Sequence, residues 1–192
     1  MSKRFVDLFA GCGGLSLGME KAGFEVAFAS DVDPICSETY MKNRNLEKNK
    51  MFVGDIAELN KRFNDFSQNF KNIDLVCGGP PCQGFSMANR QRLINDPRNS
   101  LYKEYLVFLQ KTKPKFFIME NVKGMLNKID EILLDIKTYL GNEYDVAFDV
   151  FNAKNFGVPQ NRERLIVIGN RIGINAQTII NNIHNEEKKI NS

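Results

Sequence analysis

The sequence predicts an α/β domain built on a doubly wound, mostly parallel sheet. Two observations carry that expectation. Short apolar runs rich in β-formers alternate with segments of helical periodicity along most of the chain, the mark of successive strand–helix–strand units. Glycine- and proline-rich stretches follow several of these runs, where a strand must turn into a helix or loop.

Taken in order, residues 5–9 read as a first strand, followed by a glycine loop and an amphipathic segment from Leu15 to Ala22, closed by Gly23. Residues 25–30 form a second strand. Pro34 suits the first turn of a helix over 34–43, since its missing N–H costs nothing there. Residues 51–53 and 73–77 are strands, and 79–100 is a loop rich in Gly, Pro, Asn and Arg. Leu101, Tyr105, Phe108 and Leu109 recur at helical spacing, as do Ile129, Ile132, Leu133, Ile136 and Leu140. Strands at 116–119, 146–151 and 165–168 complete the pattern. Beyond Asn170 the periodicity fades, and residues 171–192 are expected to be a polar tail that frays.

The chain has 192 residues, with 26 Lys+Arg against 23 Asp+Glu and 43% hydrophobic residues. That is enough for one core and too apolar for disorder. The net charge of +3 permits a nucleic-acid partner without demanding one. No apolar run reaches membrane-spanning length. Cys12, Cys36, Cys77 and Cys82 form no C-x-x-C pair and His184 is the only histidine, so no metal site and no disulfide framework are expected. A reducing, cytoplasmic location follows.

Four segments carry chemistry. Asp7-Leu-Phe-Ala-Gly11-Cys12-Gly13-Gly14 follows the first strand, and Asp31 ends the second, 20 positions after Gly11. Glycines let backbone approach a ligand, and a carboxylate at that distance can take ribose hydroxyls. The spacing is not that of a pyrophosphate loop, so a nucleoside such as S-adenosylmethionine fits better. Gly78-Gly79-Pro80-Pro81-Cys82-Gln83-Gly84-Phe85-Ser86 presents Cys82 at the sheet's carboxyl edge, where ligands of such sheets bind. Cys12, Cys36 and Cys77 read instead as small buried hydrophobes. Met119-Glu120-Asn121-Val122 ends another strand. Gln160-Asn161-Arg162-Glu163-Arg164 opens the last one, and alternation puts Gln160, Arg162 and Arg164 on one face. Two guanidiniums there suit phosphate or a carbonyl-bearing base.

Together, DLFAGCGG, GGPPCQGFS, ENV and QNRER resemble, in order and spacing, the C5-cytosine DNA methyltransferases, from about Phe5 to Gly169. The resemblance implies a Rossmann-like, S-adenosylmethionine-dependent methyltransferase domain over 1–170. It makes Cys82 the nucleophile that attacks C6 of cytosine. Glu120 would hold the N3/N4 edge, Arg164 the base's O2, and Arg162 would support Glu120 or the DNA backbone. Phe9, Gly11 and Gly13 would line the methionine end of the cofactor, Asp31 its ribose and Val32 its adenine face. Asp55 and Ile56 would meet the adenine edge, with Pro80 near the transferred methyl. The target base must be flipped from double-stranded DNA, with Arg90, Arg92 and Arg98 closing over it.

The family's target-recognition region and its R-E-x-x-R and G-N-S-V blocks do not follow Gly169. The expectation is a split enzyme of a restriction–modification system, completed by a second polypeptide. The alternatives are a truncated remnant that binds cofactor or DNA, and a tRNA-cytosine methyltransferase. The Gln-Gly-Phe-Ser after Cys82 weighs against the last.

Overall fold

The structure is a computed structural model that describes residues 2–81 and 101–190. Its elements run β1 (Lys3–Leu8), α1 (Gly14–Lys21), β2 (Phe24–Asp31), α2 (Pro34–Arg44), β3 (Met51–Val53), α3 (Ile56–Lys61), β4 (Leu75–Gly78), α4 (Leu101–Thr112), β5 (Phe116–Val122), α5 (Ile129–Leu140), β6 (Asp145–Asn152), β7 (Glu163–Asn170) and α6 (Ala176–Ile190). The strands form one sheet in the order β3-β2-β1-β4-β5-β7-β6. The first five in that order are mutually parallel. β7 runs antiparallel to both its neighbours.

Burial explains the local choices. Phe5 to Leu8 are all buried, because helices cover both faces of the sheet, and such strands read as continuous apolar runs. Val6, Leu8, Val76, Phe117, Met119 and Val167 share the main core with α3, α4 and α5. Phe5, Leu75 and Cys77 face the opposite side, towards α1. α2 starts where expected: Asp33 accepts from the N–H groups of Ile35 and Cys36, and Pro34 fills the first turn. In α5, Ile132, Ile136 and Leu140 are buried, the stripe that its periodicity encodes.

Three expectations need correction. β5 continues through Glu120 to Val122, because the antiparallel ladder with β7 supplies backbone partners for those residues. β7 begins only at Glu163, so the alternation argument does not extend back to Gln160 and Arg162; the Arg162 N–H instead donates to Asn152 Oδ1. The last stretch does not fray over 176–190. It forms α6, with Ala176 and Ile180 buried against β6 and β7. His184 fastens the helix, its Nε2 lying 2.9 Å from Asp149 Oδ2 and its Nδ1 3.0 Å from Glu187 Oε2.

Helix cover is uneven on the α1 side. α1 packs on β2 and β1, and α6 on β6 and β7. Between them lies an open groove of about 1340 Å³. Leu75, Phe116, Ile118 and Ile168 form its floor, and Met19, Ile179 and Ile183 its walls.

Candidate active site

Register brings the motifs together. Ser30, Leu8, Gly78 and Met119 lie side by side across β2, β1, β4 and β5. The next residue of each strand, Asp31, Phe9, Gly79 and Glu120, therefore emerges at one carboxyl edge. The order reverses between β1 and β4, the switch point at which parallel sheets open a crevice.

On the β1–β2 side the glycine loop is held by its own backbone and by Asp31. Phe9 has φ 57°, a left-handed conformation rare for a bulky side chain and common at functional sites. Asp31 Oδ2 accepts from the Gly11 N–H at 2.7 Å, and Oδ1 from the Asp33 N–H at 2.8 Å. Each oxygen retains a lone pair for a further donor. Gly11 has open space where a Cβ would stand. Val32 is 69% exposed at the end of β2, an apolar surface without a protein partner on its outer side. Asp55 caps α3 by accepting from Ala57 N–H. The Ile56 side chain is buried in the main core, so its contribution to a ligand falls to its backbone N–H, one of the free donors of a helix's first turn. These features fit a nucleoside-bearing cofactor: close backbone, a two-oxygen acceptor and a flat apolar flank.

The residue that sequence reading missed here is Arg44. Its Nη2 donates to the Gly13 carbonyl at 2.8 Å and its Nε donates to both Glu20 oxygens at 3.0 Å. Its guanidinium lies 4.2 Å from the Tyr40 ring centroid. It bolts α2 to α1 and to the loop. A Cβ on Gly13 would stand 2.4 Å from Arg44 Nη1, so a side chain there would push the guanidinium off the Gly13 carbonyl, besides straining the φ of 89°. No local signal marks Arg44, which sits on an ordinary helix end in the sequence.

Beneath the loop, Asp7 is fully enclosed. Ser16 Oγ donates to its Oδ2 and lies 2.6 Å from the Tyr40 hydroxyl. Burial pushes the Asp7 carboxyl up to about 7, although the Ser16 hydrogen bond opposes the change.

On the β4–β5 side, Arg164 Nε lies 2.8 Å from Glu120 Oε1. The resemblance assigns Arg164 to the base alone; the structure pairs it with Glu120 as well. Asn121, 4% exposed, donates from Nδ2 to the Pro80 carbonyl at 2.8 Å. A Cβ on Gly79 would stand 2.9 Å from Glu120 Oε2. The Gly-Pro-Pro turn thus rests directly against the acid. Cys82, Arg90, Arg92 and Arg98 lie outside the described residues. Cys77 is buried as expected, whereas Cys12 is exposed and Cys36 half-buried. Among the described residues no cluster of metal-ligating side chains occurs and no helix is long and apolar enough to cross a membrane.

The fold and this edge define a class: a Rossmann-like α/β protein with a glycine loop held by Asp31 on one side of the switch point and an acid–arginine pair beside a Gly-Pro-Pro turn on the other. The C-5 cytosine-specific DNA methylase family profile matches residues 3–192, and the chain belongs to that family. It is 40% identical over 185 residues to Type II methyltransferase M.AquIA of Picosynechococcus sp., covering 90% of this chain and 74% of that protein. It is 42% identical over 174 residues to Type II methyltransferase M.FnuDI of Fusobacterium nucleatum, covering 90% of this chain and 48% of the relative. A solved structure described as a prophage-encoded DNA modification methyltransferase of E. coli matches with TM-score 0.76 at 34% identity, covering 88% of this chain and 47% of that one. The chain thus spans about three quarters of the first relative and about half of the other two.

Proposed function

We propose that the chain carries the catalytic and cofactor-binding residues of a DNA (cytosine-5) methyltransferase of a restriction–modification system, acting in the cytoplasm on double-stranded DNA. The observation that carries this reading is the gathering of the two motif ends: Asn121 holds the Pro80 carbonyl while Arg164 holds Glu120. Cys82 follows Pro80 by two residues in the sequence, which supports its assignment to the same site.

The division of labour follows from the chemistry. C5 of cytosine is a weak nucleophile. Addition of the Cys82 thiolate to C6 of a flipped base saturates C6 and leaves N4–C4=C5 as an enamine whose C5 can attack carbon. Glu120 holds the N3/N4 edge and favours the proton at N3, which draws off the charge that develops there. Arg164 orients Glu120 and meets the base's O2; Arg162, exposed just before β7, takes a DNA phosphate. S-adenosylmethionine, when bound, supplies a methyl group on a sulfonium sulfur. Phe9, Gly11 and Gly13 hold its methionine end, Asp31 its ribose, Val32 the adenine face, Asp55 and Ile56 the adenine edge, and Pro80 borders the methyl. Loss of the C5 proton then expels the Cys82 sulfur and restores the ring.

We also infer that a second polypeptide, carrying the target reader, docks an amphipathic helix in the open groove. The groove floor spans β4, β5 and β7, three strands about 4.8 Å apart, so its width matches the roughly 10 Å of one helix. Lys3, Arg4, Lys113, Lys115 and Arg171 against Asp74 make its rim basic, suiting an acidic flank.

The test is covalent trapping. A duplex bearing 5-fluorocytosine at the target, with cofactor and the neighbouring gene product, should give an adduct on Cys82, because fluorine blocks the elimination. Cys82→Ser should abolish adduct and methyl transfer while retaining cofactor binding. An adduct on Cys12, Cys36 or Cys77 overturns the assignment, and sequence-specific methylation by the 192-residue chain alone overturns the need for a partner.

A further inference from the structure

We propose that Cys12 and Cys36 form a thiol–disulfide modification site at the mouth of the glycine loop, oxidised by a small-molecule disulfide such as glutathione disulfide. Their sulfurs lie 3.7 Å apart although the residues are 24 positions apart in the chain. A disulfide needs about 2.05 Å between sulfurs, so closure asks for a shift of under 2 Å. Cys12 is exposed and Cys36 half-buried, which lets an oxidant reach the pair. Neither behaves as the packed hydrophobe that a cysteine of this size usually is.

The approach is built by the surrounding contacts. Asp31 accepts from Gly11 N–H on one oxygen and from Asp33 N–H on the other. One carboxylate therefore brackets the residue before Cys12 and the cap of the helix that carries Cys36. Asp33 Oδ1 fixes the Cys36 N–H at 3.2 Å. Arg44 fastens the far end of α2 to the Gly13 carbonyl, on the other side of Cys12. With the two segments held side by side, side-chain rotation and a small movement of the loop bring the sulfurs to bonding distance.

The chemistry balances. Cys12, the more exposed thiol, attacks one sulfur of glutathione disulfide as its thiolate and releases one glutathione thiolate. Cys36 then attacks the Cys12 sulfur and displaces the second. The protein loses two electrons and two protons, and glutathione disulfide gains them as two thiols. The hydrogen bond with Cys12, ahead of burial and the Asp33 charge, pushes the Cys36 thiol up to about 11. That assigns the first attack to Cys12 and leaves Cys36 as the resolving thiol.

Closure draws Cys12 towards α2 and shifts the Gly11 N–H and the space above it. Oxidation thereby weakens the cofactor, and bound cofactor protects the thiols by the same factor. This consequence rests on the cofactor reading above; the cross-link does not.

The experiment equilibrates the whole chain in glutathione buffers from fully reduced to fully oxidised, alkylates free thiols and maps tryptic peptides. The expected product joins peptide 5–21 to peptide 22–42 and disappears with dithiothreitol. Calorimetry should then show cofactor affinity about 5–100-fold weaker in the oxidised protein, restored by reduction, whereas the Cys12→Ser/Cys36→Ser double variant should bind cofactor equally before and after the same treatment. Separate alkylation of both thiols in the oxidising buffer, a stable glutathione adduct on Cys12, or a bond from Cys12 to Cys82 overturns the site. Equal affinity of the two redox forms overturns the coupling. If the reduced chain binds no cofactor yet the 5–21/22–42 product forms, the cofactor reading fails and the modification site stands.

Discussion

Arg164 reaches Glu120 diagonally across the β5–β7 ladder. Its direct partner in register is Val122, and Glu120 stands two residues further along on the same face of β5. Diagonal neighbours of an antiparallel pair are about 7–8 Å apart, a gap that long side chains bridge. The resulting contact, Nε to Oε1 at 2.8 Å with both side chains about one quarter exposed, orients the acid towards the Gly-Pro-Pro turn. One antiparallel strand thus supplies what the parallel strands lack, a cation aimed back at their carboxyl edge.

Glu120→Gln should lower the single-turnover rate roughly 10²–10⁴-fold, the range for a lost acid–base group, with cofactor affinity nearly intact. Arg164→Ala should fall in the same range, and the double variant should be little worse than either, because the two act as one unit. Additive losses in that cycle would mean the pair does not work together. Arg162→Ala should affect DNA binding and its salt dependence more than the chemical rate.

Asp31→Ala should weaken S-adenosylmethionine by roughly 1–3 kcal/mol, the loss expected when buried donors lose a charged acceptor. It should also lower the melting temperature, since the N–H groups of Gly11 and Asp33 lose their partner. Asp31→Asn retains one acceptor and should lie between. Calorimetry with unchanged affinity in both variants would remove Asp31 from the ribose site.

The two loop glycines should separate folding from binding. Gly13→Ala forces a side chain into φ 89° and onto the Arg44 guanidinium, so it should destabilise by more than the 1–2 kcal/mol of a left-handed residue alone. Gly11→Ala meets no atom of the described residues within 4 Å and should cost only the backbone term, while its methyl group intrudes on the ligand space. Thermal melts should therefore rank Gly13→Ala lower, and cofactor titration of the folded variants should still show a loss for Gly11→Ala.

Asp7 should make stability depend on pH. Burial raises its carboxyl from 3.8 in the unfolded chain to about 7 in the folded one. The native state then binds the proton more tightly, so this contribution is fully present below pH 3.8 and is lost as pH rises through about 7. A tenfold change in proton affinity is about 1.4 kcal/mol, which puts the penalty at pH 8, relative to pH below 3.8, on the order of 4 kcal/mol. Asp7→Asn cannot ionise, so the fall in melting temperature from pH 5 to pH 8 should shrink. An identical slope in both proteins would place the titration elsewhere.

Much of this protein was legible from its sequence because burial leaves a periodic trace. The continuous apolar run of β1, the stripe of Ile132, Ile136 and Leu140 in α5, and the Asp33–Pro34 start of α2 are local signals, and each holds in the structure. The motifs and the interval from Gly11 to Asp31 are local as well. Other features depend on which distant segments meet. β5 runs on to Val122 because β7, far along the chain, pairs with it antiparallel. α6 is polar enough to read as a tail, and only the apolar sides of β6 and β7 give Ala176 and Ile180 a place to be buried. The meeting of Arg44 with Gly13, of Cys12 with Cys36 and of Arg164 with Glu120 follows from sheet order and register. Periodicity records which face of an element is dry; the partner across the space is set by long-range pairing, whose energy no short window of sequence contains.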